Sequence, residues 1–157
     1  MKILYCIALC LAFQGAGSLA GQEILHKASG TDERSFTKGI SVITVFGEKA
    51  SVTIKGWSSS EVKVLLRPVA RNRNRDQAIA DLKYIRYSAE TEGNKLVVRN
   101  SFKGQMEQIT SNLTMEIEIY MPHSVPAEIT NLYGPVDIMN LNTVTAIVSF
   151  GSLKVDK

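Results

Sequence analysis

The sequence contains few of the residues that usually build disulfides, metal sites or catalytic centres. Its 157 residues include two cysteines, two histidines and one tryptophan. Cys6 and Cys10 both lie in a predicted leader, so the mature chain would carry no thiol and therefore no disulfide or cysteine-bound metal. His26 and His123 are far apart in the chain, which does not favour a zinc site. We therefore expect no metal and no cofactor, and a fold that packing alone stabilises.

Motifs of the common enzyme and nucleotide-binding classes are also missing. The chain has neither the Gly-x-Ser-x-Gly of many hydrolases nor the Gly-x-x-x-x-Gly-Lys of phosphate loops. The net charge is only +3, with acidic and basic residues interleaved, which does not favour nucleic acid as a partner. Glu116 and Glu118 share one strand face and could in principle cleave a glycoside. The simpler interpretation is that they are the polar side chains on the solvent-exposed face of a half-buried strand.

The first 20 residues have the pattern of a secretory signal peptide. Lys2 precedes an uncharged apolar run over 3–13, and small residues follow up to Ala20, after which we predict cleavage. The run is shorter than the roughly 20 residues that span a bilayer, so we expect no membrane-spanning segment in the mature chain. A lipoprotein acylated at Cys10 is the alternative. The sequence therefore predicts export to the periplasm, the cell surface or the outer membrane.

Beyond the leader, residues 21–36 lack a sustained period and are expected to form a poorly ordered N-terminal arm. From residue 37 to residue 157 we predict a single β-rich domain. Alternation of apolar and polar residues predicts strands within 40–45, 52–55, 62–66, 96–99 and 112–121. One short helix is predicted over 76–83, with Asp76 as its N-cap.

Two short segments near the end of the sequence repeat one pattern. Residues 133–138 read aromatic, Gly, any, aliphatic, polar, aliphatic, and residues 150–155 repeat this order about 17 positions later. Repetition at such a period is typical of a solenoid. The sequence therefore predicts a single-stranded β-solenoid or β-roll-like coil, preceded by antiparallel strands. Asn140 and Asn142 are expected at its corners, where asparagine tolerates a left-handed backbone. The alternative is that two hairpins share an aromatic-Gly turn.

The order of these segments resembles a known group of exported bacterial proteins. The residues that carry the resemblance lie at 39–42, 52–57, 61–64, 96–98, 117–122, 131–134 and 150–151. They are similar to the adhesin-like β-helix family of unknown function, also described as auto-transporter adhesin head or GIN-type domains. The resemblance implies a β-solenoid outside the cytoplasm with no assigned reaction. Members of the family usually continue through further turns beyond the point where this sequence stops.

Five residues are candidates for ligand binding. Trp57 is the only tryptophan and lies beside a run of serines, where its ring could stack on a sugar or plug one end of the core. Tyr120 admits the same two interpretations. Arg71, Arg73 and Arg75 occupy a polar segment and could bind phosphate or carboxylate groups, or could simply solvate a loop.

The combined expectation is an exported, non-enzymatic, adhesin-like protein that binds an envelope glycan or another surface protein. Two alternatives remain at this stage. One is a polysaccharide-active enzyme, and the other is a periplasmic assembly or sensor partner that docks by strand addition.

Overall fold

The computed structural model describes residues 25–37, 39–104 and 108–156. The predicted leader, with Cys6 and Cys10, lies outside the described residues. Within them the chain forms twelve strands, one α-helix and one 3-10 turn. The strands are β1 His26–Ser29, β2 Asp32–Phe36, β3 Val42–Gly47, β4 Ala50–Trp57, β5 Val62–Asn72, β6 Ile85–Glu92, β7 Lys95–Phe102, β8 Asn112–Pro122, β9 Ala127–Asn131, β10 Val136–Met139, β11 Val144–Val148 and β12 Leu153–Asp156. The helix α1 is Arg75–Asp81 and the 3-10 turn is Leu82–Tyr84.

The strands divide into two sheets of mixed direction. The first sheet has the order β1-β5-β8-β4-β10-β12, with β2 also paired to β5. The second has the order β11-β9-β3-β7-β6. In the first sheet β5 and β8 are antiparallel, whereas β8, β4, β10 and β12 run parallel to one another. In the second sheet only β6 and β7 pair antiparallel, and the other pairs are parallel.

The core lies between the inward faces of the two sheets. Period-two alternation buries every second side chain of β4 and β8, among them Ile54 and Ile117, while β3 contributes Ile43 and Val45. These buried residues of both sheets belong to one continuous hydrophobic cluster. Full burial of an aliphatic side chain of this size contributes about 1.5–3 kcal/mol before entropy is counted. The alternation leaves the other side chains of β4, β5 and β8 on the outward face of the first sheet.

The predicted β-solenoid is wrong, although the prediction of a mainly β protein is confirmed. The strands form two mixed sheets, and β5 and β8, of 11 residues each, pair antiparallel along nearly their whole length. The two repeat copies do lie side by side, since Val136 pairs with Leu153 in parallel strands. Alternation reports which side chains are buried, but it does not report which sheet a strand joins. Two copies of one short pattern therefore did not define the architecture.

The glycines of the two repeat copies are explained by close packing of the turns. A Cβ on Gly134, whose φ is 118°, would lie 2.3 Å from the carbonyl oxygen of Ala50. A Cβ on Gly151 would lie 2.0 Å from the carbonyl oxygen of Gly134. Successive turns therefore approach backbone to backbone, which only glycine permits. Asn140, predicted as a corner residue, adopts a left-handed φ of 55°.

The helix is found close to its predicted position, but with a different cap. Asn74 is the N-cap, because its Oδ1 accepts hydrogen bonds from the backbone nitrogens of Asp76 and Gln77 at 2.9 and 3.1 Å. Asp76, predicted as the N-cap, lies instead in the first turn, where its charge interacts favourably with the helix dipole. Asn74 and Asp76 are both residue types that cap helices and lie two positions apart, and the chain leaves β5 early enough for Asn74 to be the cap.

The segment 21–36, predicted as a poorly ordered arm, contains two strands. β1 pairs with the end of β5 and β2 pairs with its beginning, both antiparallel. β2 shows alternating burial, and Arg34 donates a hydrogen bond to the carbonyl oxygen of Ala89 at 3.0 Å. The residues of β2 are mostly polar, so the alternation of apolar and polar residues was too weak to predict this strand. Pairing with the long β5 orders it.

Candidate ligand-binding site

A polar network occupies the outward face of the first sheet where β4, β5 and β8 lie side by side. Lys55 Nζ lies 2.8 Å from Glu118 Oε1, and Arg67 Nη1 lies 3.3 Å from Glu118 Oε2. Tyr120 donates its hydroxyl to Glu118 Oε1 at 2.7 Å and accepts a hydrogen bond from Lys55 Nζ at 3.3 Å. These contacts follow from the register, which places Tyr120 beside Lys55 and Glu118 beside Thr53. The network fixes four side chains on an otherwise open sheet face.

Electrostatics hold the carboxyl at the centre of this network in its charged form. Hydrogen bonds from Lys55 and then Tyr120 lower the pKa of Glu118 below its usual range, and partial burial opposes them. The same contact with Glu118, followed by that with Tyr120, raises the pKa of Lys55. Both groups are therefore charged at neutral pH. Glu118 consequently accepts hydrogen bonds and has no proton to donate to a ligand.

Trp57 ends β4 and packs against Tyr120. The two ring centroids are 5.4 Å apart and the rings are tilted by 38°. The indole nitrogen of Trp57 donates to the carbonyl oxygen of Glu61 at 2.8 Å, which fixes the orientation of the ring. Lys55 Nζ lies 5.1 Å from the centroid of the Tyr120 ring, a distance typical of a cation–π contact. Both aromatic rings are half-buried, so each keeps a part of its surface open to solvent.

A concave site of about 760 Å³ opens beside Trp57, and we call it the Trp57 cleft. It lies where β4 ends and where the β8–β9 and β10–β11 connections pass. It is lined by Gly56, Trp57, Ser58, His123, Asn140, Leu141 and Asn142.

The polar side chains of the Trp57 cleft are available to a ligand. His123, Asn140 and Asn142 are exposed, and within the described residues none of these three side chains has a hydrogen-bond partner. The backbone of this region is fixed nevertheless, because Asn142 N donates to His123 O at 3.0 Å. A Cβ on Gly56 would lie 1.8 Å from the carbonyl oxygen of Asn140, so glycine is what lets this turn approach Trp57. An aromatic ring, two amides and an imidazole thus surround one concavity.

The predicted site residues are only partly brought together. Trp57 and Tyr120 are in contact at one end of β8. Arg71 lies on the same outward face but at the other end, where Nη1 is 3.5 Å from Thr114 Oγ1. Arg73 follows the end of β5, and Arg75 begins α1, both exposed. The three arginines therefore do not form one patch with the aromatic pair.

His123, Asn140 and Asn142 could not be assigned to a ligand site from the sequence. They lie in two different turns, and the parallel pairing of β4 with β8 on one side and with β10 on the other brings those turns to Trp57. Asn140 and Asn142 carried a signal as corner residues, but that signal predicts backbone conformation and not ligand contact.

A second aromatic pair lies at the opposite end of the first sheet. Tyr133 and Phe150, the aromatic residues of the two repeat copies, stack at 5.1 Å with 20° between their ring planes. They are 44% and 79% exposed. This pair lies on the surface of the described chain and not in its core.

Two kinds of site are missing from the described residues. No group of three or more His, Cys, Asp or Glu side chains within 25–37, 39–104 and 108–156 could hold a metal ion. None of the helices in the same ranges is long and apolar enough to cross a membrane.

Comparison with known proteins gives structural neighbours at low identity. No family model matches the sequence. No curated protein matches it either. A proposed cell adhesion protein from Clostridium sporogenes is 12% identical, with a TM-score of 0.41 over 79% of this chain and 59% of that one. A proposed adhesin from Parabacteroides merdae is 9% identical, with a TM-score of 0.43 over 76% of this chain and 43% of that one.

A third neighbour carries a different description. It is a proposed lipid-binding protein from Parabacteroides distasonis, 14% identical, with a TM-score of 0.43 over 81% of this chain and 51% of that one. The chain thus spans about half the length of these three solved structures. The first two neighbours have descriptions of the adhesin type, as the predicted resemblance does, but at TM-scores below 0.5 they assign neither a family nor a role to this chain. The two mixed sheets do not support the β-helix and GIN-type assignment.

Proposed function

We propose that this chain is an exported, non-enzymatic, adhesin-like protein that binds a glycan at the Trp57 cleft. The observation that carries the proposal is the Trp57 ring, whose indole nitrogen donates to Glu61 O and which packs against Tyr120. The leader pattern in residues 1–20 supports export.

The chemistry of the cleft suits a sugar better than an apolar ligand. A flat indole ring can cover the C–H face of a sugar, and its orientation costs little entropy because it is already fixed. The amides of Asn140 and Asn142 can each donate and accept hydrogen bonds, as vicinal hydroxyls require. His123 adds one donor or acceptor at the rim. An apolar ligand would leave these polar groups without partners.

Glycoside cleavage by Glu116 and Glu118 is the less supported alternative. Such enzymes need one carboxyl kept protonated at working pH, which requires a raised pKa. The pKa of Glu118 is lowered instead, mainly by the hydrogen bond from Lys55. Glu116 is paired with Lys27 at 3.2 Å. Replacing both glutamates by glutamine would abolish glycan turnover if the enzyme hypothesis were correct.

Docking of a partner by strand addition is a second candidate. β11 and β12 end the strand orders of the two sheets, and their side chains Ile147, Leu153 and Val155 are 61%, 48% and 53% exposed. A lysine on an edge strand opposes such pairing. Co-purification of a protein partner that Val155→Lys abolishes would favour this candidate over glycan binding.

A glycan array tests the proposal. The purified protein is compared with Trp57→Ala and with Asn140→Gly, which removes one amide but keeps the left-handed backbone available. Phe46→Ala is the matched control, because Phe46 is an exposed aromatic residue, 42% exposed, on the second sheet. We expect the two cleft variants to weaken the leading signal by about tenfold or more, roughly 1.4 kcal/mol, and the control to retain it. An unchanged signal in both cleft variants, with unchanged circular dichroism, would contradict the proposal.

A further inference from the structure

Three concave sites follow one another along β8, from the Trp57 cleft at one end to the cleft that contains Arg71 at the other. A cleft of about 260 Å³ over the polar network is lined by Ser51, Lys55, Glu116 and Glu118 among others. A cleft of about 450 Å³ beyond it is also lined by Ser51 and Glu116, and in addition by Arg71. The two clefts therefore adjoin, and Tyr120 links the first of them to Trp57 through its contacts with Lys55 and Glu118. We call this line the β8 track.

The β8 track is much longer than the cleft where it begins. Trp57 pairs in register with Pro122, at one end of β8, and Arg71 pairs with Asn112 at the other. β8 has 11 residues. At about 3.3 Å per residue the track is roughly 35 Å long. A ligand that used both ends would have to be an extended chain and not a single sugar.

Most charges along the track are paired, and within the described residues the exceptions are Asp137 in the cleft of about 260 Å³ and Lys49 and Arg71 in the cleft of about 450 Å³. Glu116 is paired with Lys27 at 3.2 Å, and Glu118 is paired with both Lys55 and Arg67. Arg71 differs from these residues. In the described part of the chain its one polar contact is Thr114 Oγ1 at 3.5 Å, so its guanidinium has no carboxylate partner there.

An arginine held half-buried in a concave site without an acidic partner is suited to a planar anion. The guanidinium forms two parallel hydrogen bonds with a carboxylate, and such charge-assisted pairs are roughly twice as strong as neutral hydrogen bonds. Thr114 Oγ1 holds the side chain toward β8, where it lines the cleft of about 450 Å³. Tyr133 lines the same cleft and can contact a sugar ring beside the carboxylate.

We propose that the ligand is an extended acidic glycan of the uronic acid type, which lies along the β8 track and places a carboxylate on Arg71. This inference rests on the proposed function, because the Trp57 cleft is taken as the first subsite. It adds a second subsite at Arg71 and a preference for acidic ligands, which the Trp57 cleft alone would not impose.

Calorimetric titration with galacturonate oligomers tests the inference. The probes are a short oligomer, an oligomer long enough to span roughly 35 Å, and the same long oligomer with its carboxylates methyl-esterified. We expect the long acidic oligomer to bind about tenfold or more tighter than the other two. We also expect added sodium chloride to weaken only the long acidic oligomer, since salt screens the contact with Arg71.

Variants separate this inference from the proposed function. Arg71→Gln should reduce the affinity for the long acidic oligomer to that for its methyl ester, and Arg71→Lys should retain a part of the difference. Arg86→Gln removes the same charge from an exposed position on β6 of the second sheet and should change nothing. Trp57→Ala should weaken all three probes. If Arg71→Gln binds every probe as the unmodified protein does while Trp57→Ala binds none, the acidic subsite is refuted and glycan binding at Trp57 stands. Absence of binding by all three probes would also overturn the inference.

Discussion

Val136 and Leu153 lie directly opposite each other in the parallel pair β10–β12, yet only Val136 is fully buried. The exposed fraction is 0% for Val136 and 48% for Leu153. The same position of the repeated pattern therefore has two environments, one between strands β4 and β12 and one at the edge of the sheet.

Truncation of these two side chains should have unequal effects. Val136→Ala is expected to lower the free energy of unfolding by about 1–3 kcal/mol, because it removes fully buried methyl groups and leaves a cavity. Leu153→Ala should cost less than about 1 kcal/mol, since much of that side chain is already in water. Urea unfolding followed by circular dichroism measures both values. Equal losses would show that the edge strand is covered in solution.

The strands could be predicted from the sequence, but their arrangement in sheets could not. Alternation over 112–121 is a local signal, and the strand found there is Asn112–Pro122. The pairing of β4 with β8 joins Val52 to Ile117, residues distant in the chain, and many apolar strands could have served as partners. The repeat correctly indicated that Val136 and Leu153 are neighbours, but long antiparallel strands outside the repeat determine the first sheet.

In the candidate site, too, single residues could be predicted from the sequence but their arrangement could not. Trp57 and Tyr120 could be selected from the sequence because aromatic residues beside turns are candidates for sugar contacts. The contact between these two residues and the cleft beside them could not be predicted. Both depend on three separate connections that meet at the end of β4. Asn140 is the clearest case, since its left-handed backbone was foreseen and its place beside Trp57 was not.

The network around Glu118 should make stability depend on pH in the acid range. Because the pKa of Glu118 is lowered in the folded protein, its contribution is present above the unfolded value of about 4.3 and is lost as the pH falls through the folded value. Lys55 has a raised pKa, so its contribution is present below about 10.4 and is lost as the pH rises through its folded value. Both contributions are present at neutral pH.

Glu118→Gln should therefore lower the free energy of unfolding at pH about 7 by about 1 kcal/mol, typical of a partly exposed ion-pair network. The difference from the unmodified protein should shrink below pH about 4. The matched control is Glu92→Gln, whose pair with Arg99 at 3.3 Å is more than half exposed on both sides and should matter little. Denaturant unfolding at the two pH values measures these differences. If Glu118→Gln lowered the free energy of unfolding by the same amount at acidic and at neutral pH, the ion-pair network would not explain the loss.

Gly56 should be among the least replaceable residues of the fold. In Gly56→Ala the new Cβ would lie 1.8 Å from the carbonyl oxygen of Asn140, so the β10–β11 turn must shift. We expect a loss of about 1–3 kcal/mol, as for overpacking in a core, together with weaker glycan binding. Gly30→Ala is the control, because a Cβ there meets nothing within 4 Å. Thermal unfolding compares the two variants. A Gly56→Ala protein as stable as Gly30→Ala would refute the close approach of this turn.

Asn131 should stabilise the turn that follows β9. Its side chain is buried, and Nδ2 donates to the carbonyl oxygens of Ala50 at 2.9 Å and Gly134 at 3.1 Å. Asn131→Ala removes both hydrogen bonds and is expected to cost about 1–3 kcal/mol. Asn142→Ala should change stability by less than about 0.5 kcal/mol, since that side chain is exposed. Comparable losses in urea unfolding would show that the two buried hydrogen bonds contribute nothing specific.

The central claim, that a glycan contacts the Trp57 ring, can be observed directly because the sequence contains a single tryptophan. Its fluorescence is recorded while the glycan with the strongest array signal is titrated into the unmodified protein. Sugar binding over the half-buried ring should produce a saturable change in emission, with a midpoint that matches the affinity measured by calorimetry. Saturable binding in the calorimeter with no change in tryptophan emission would contradict the account.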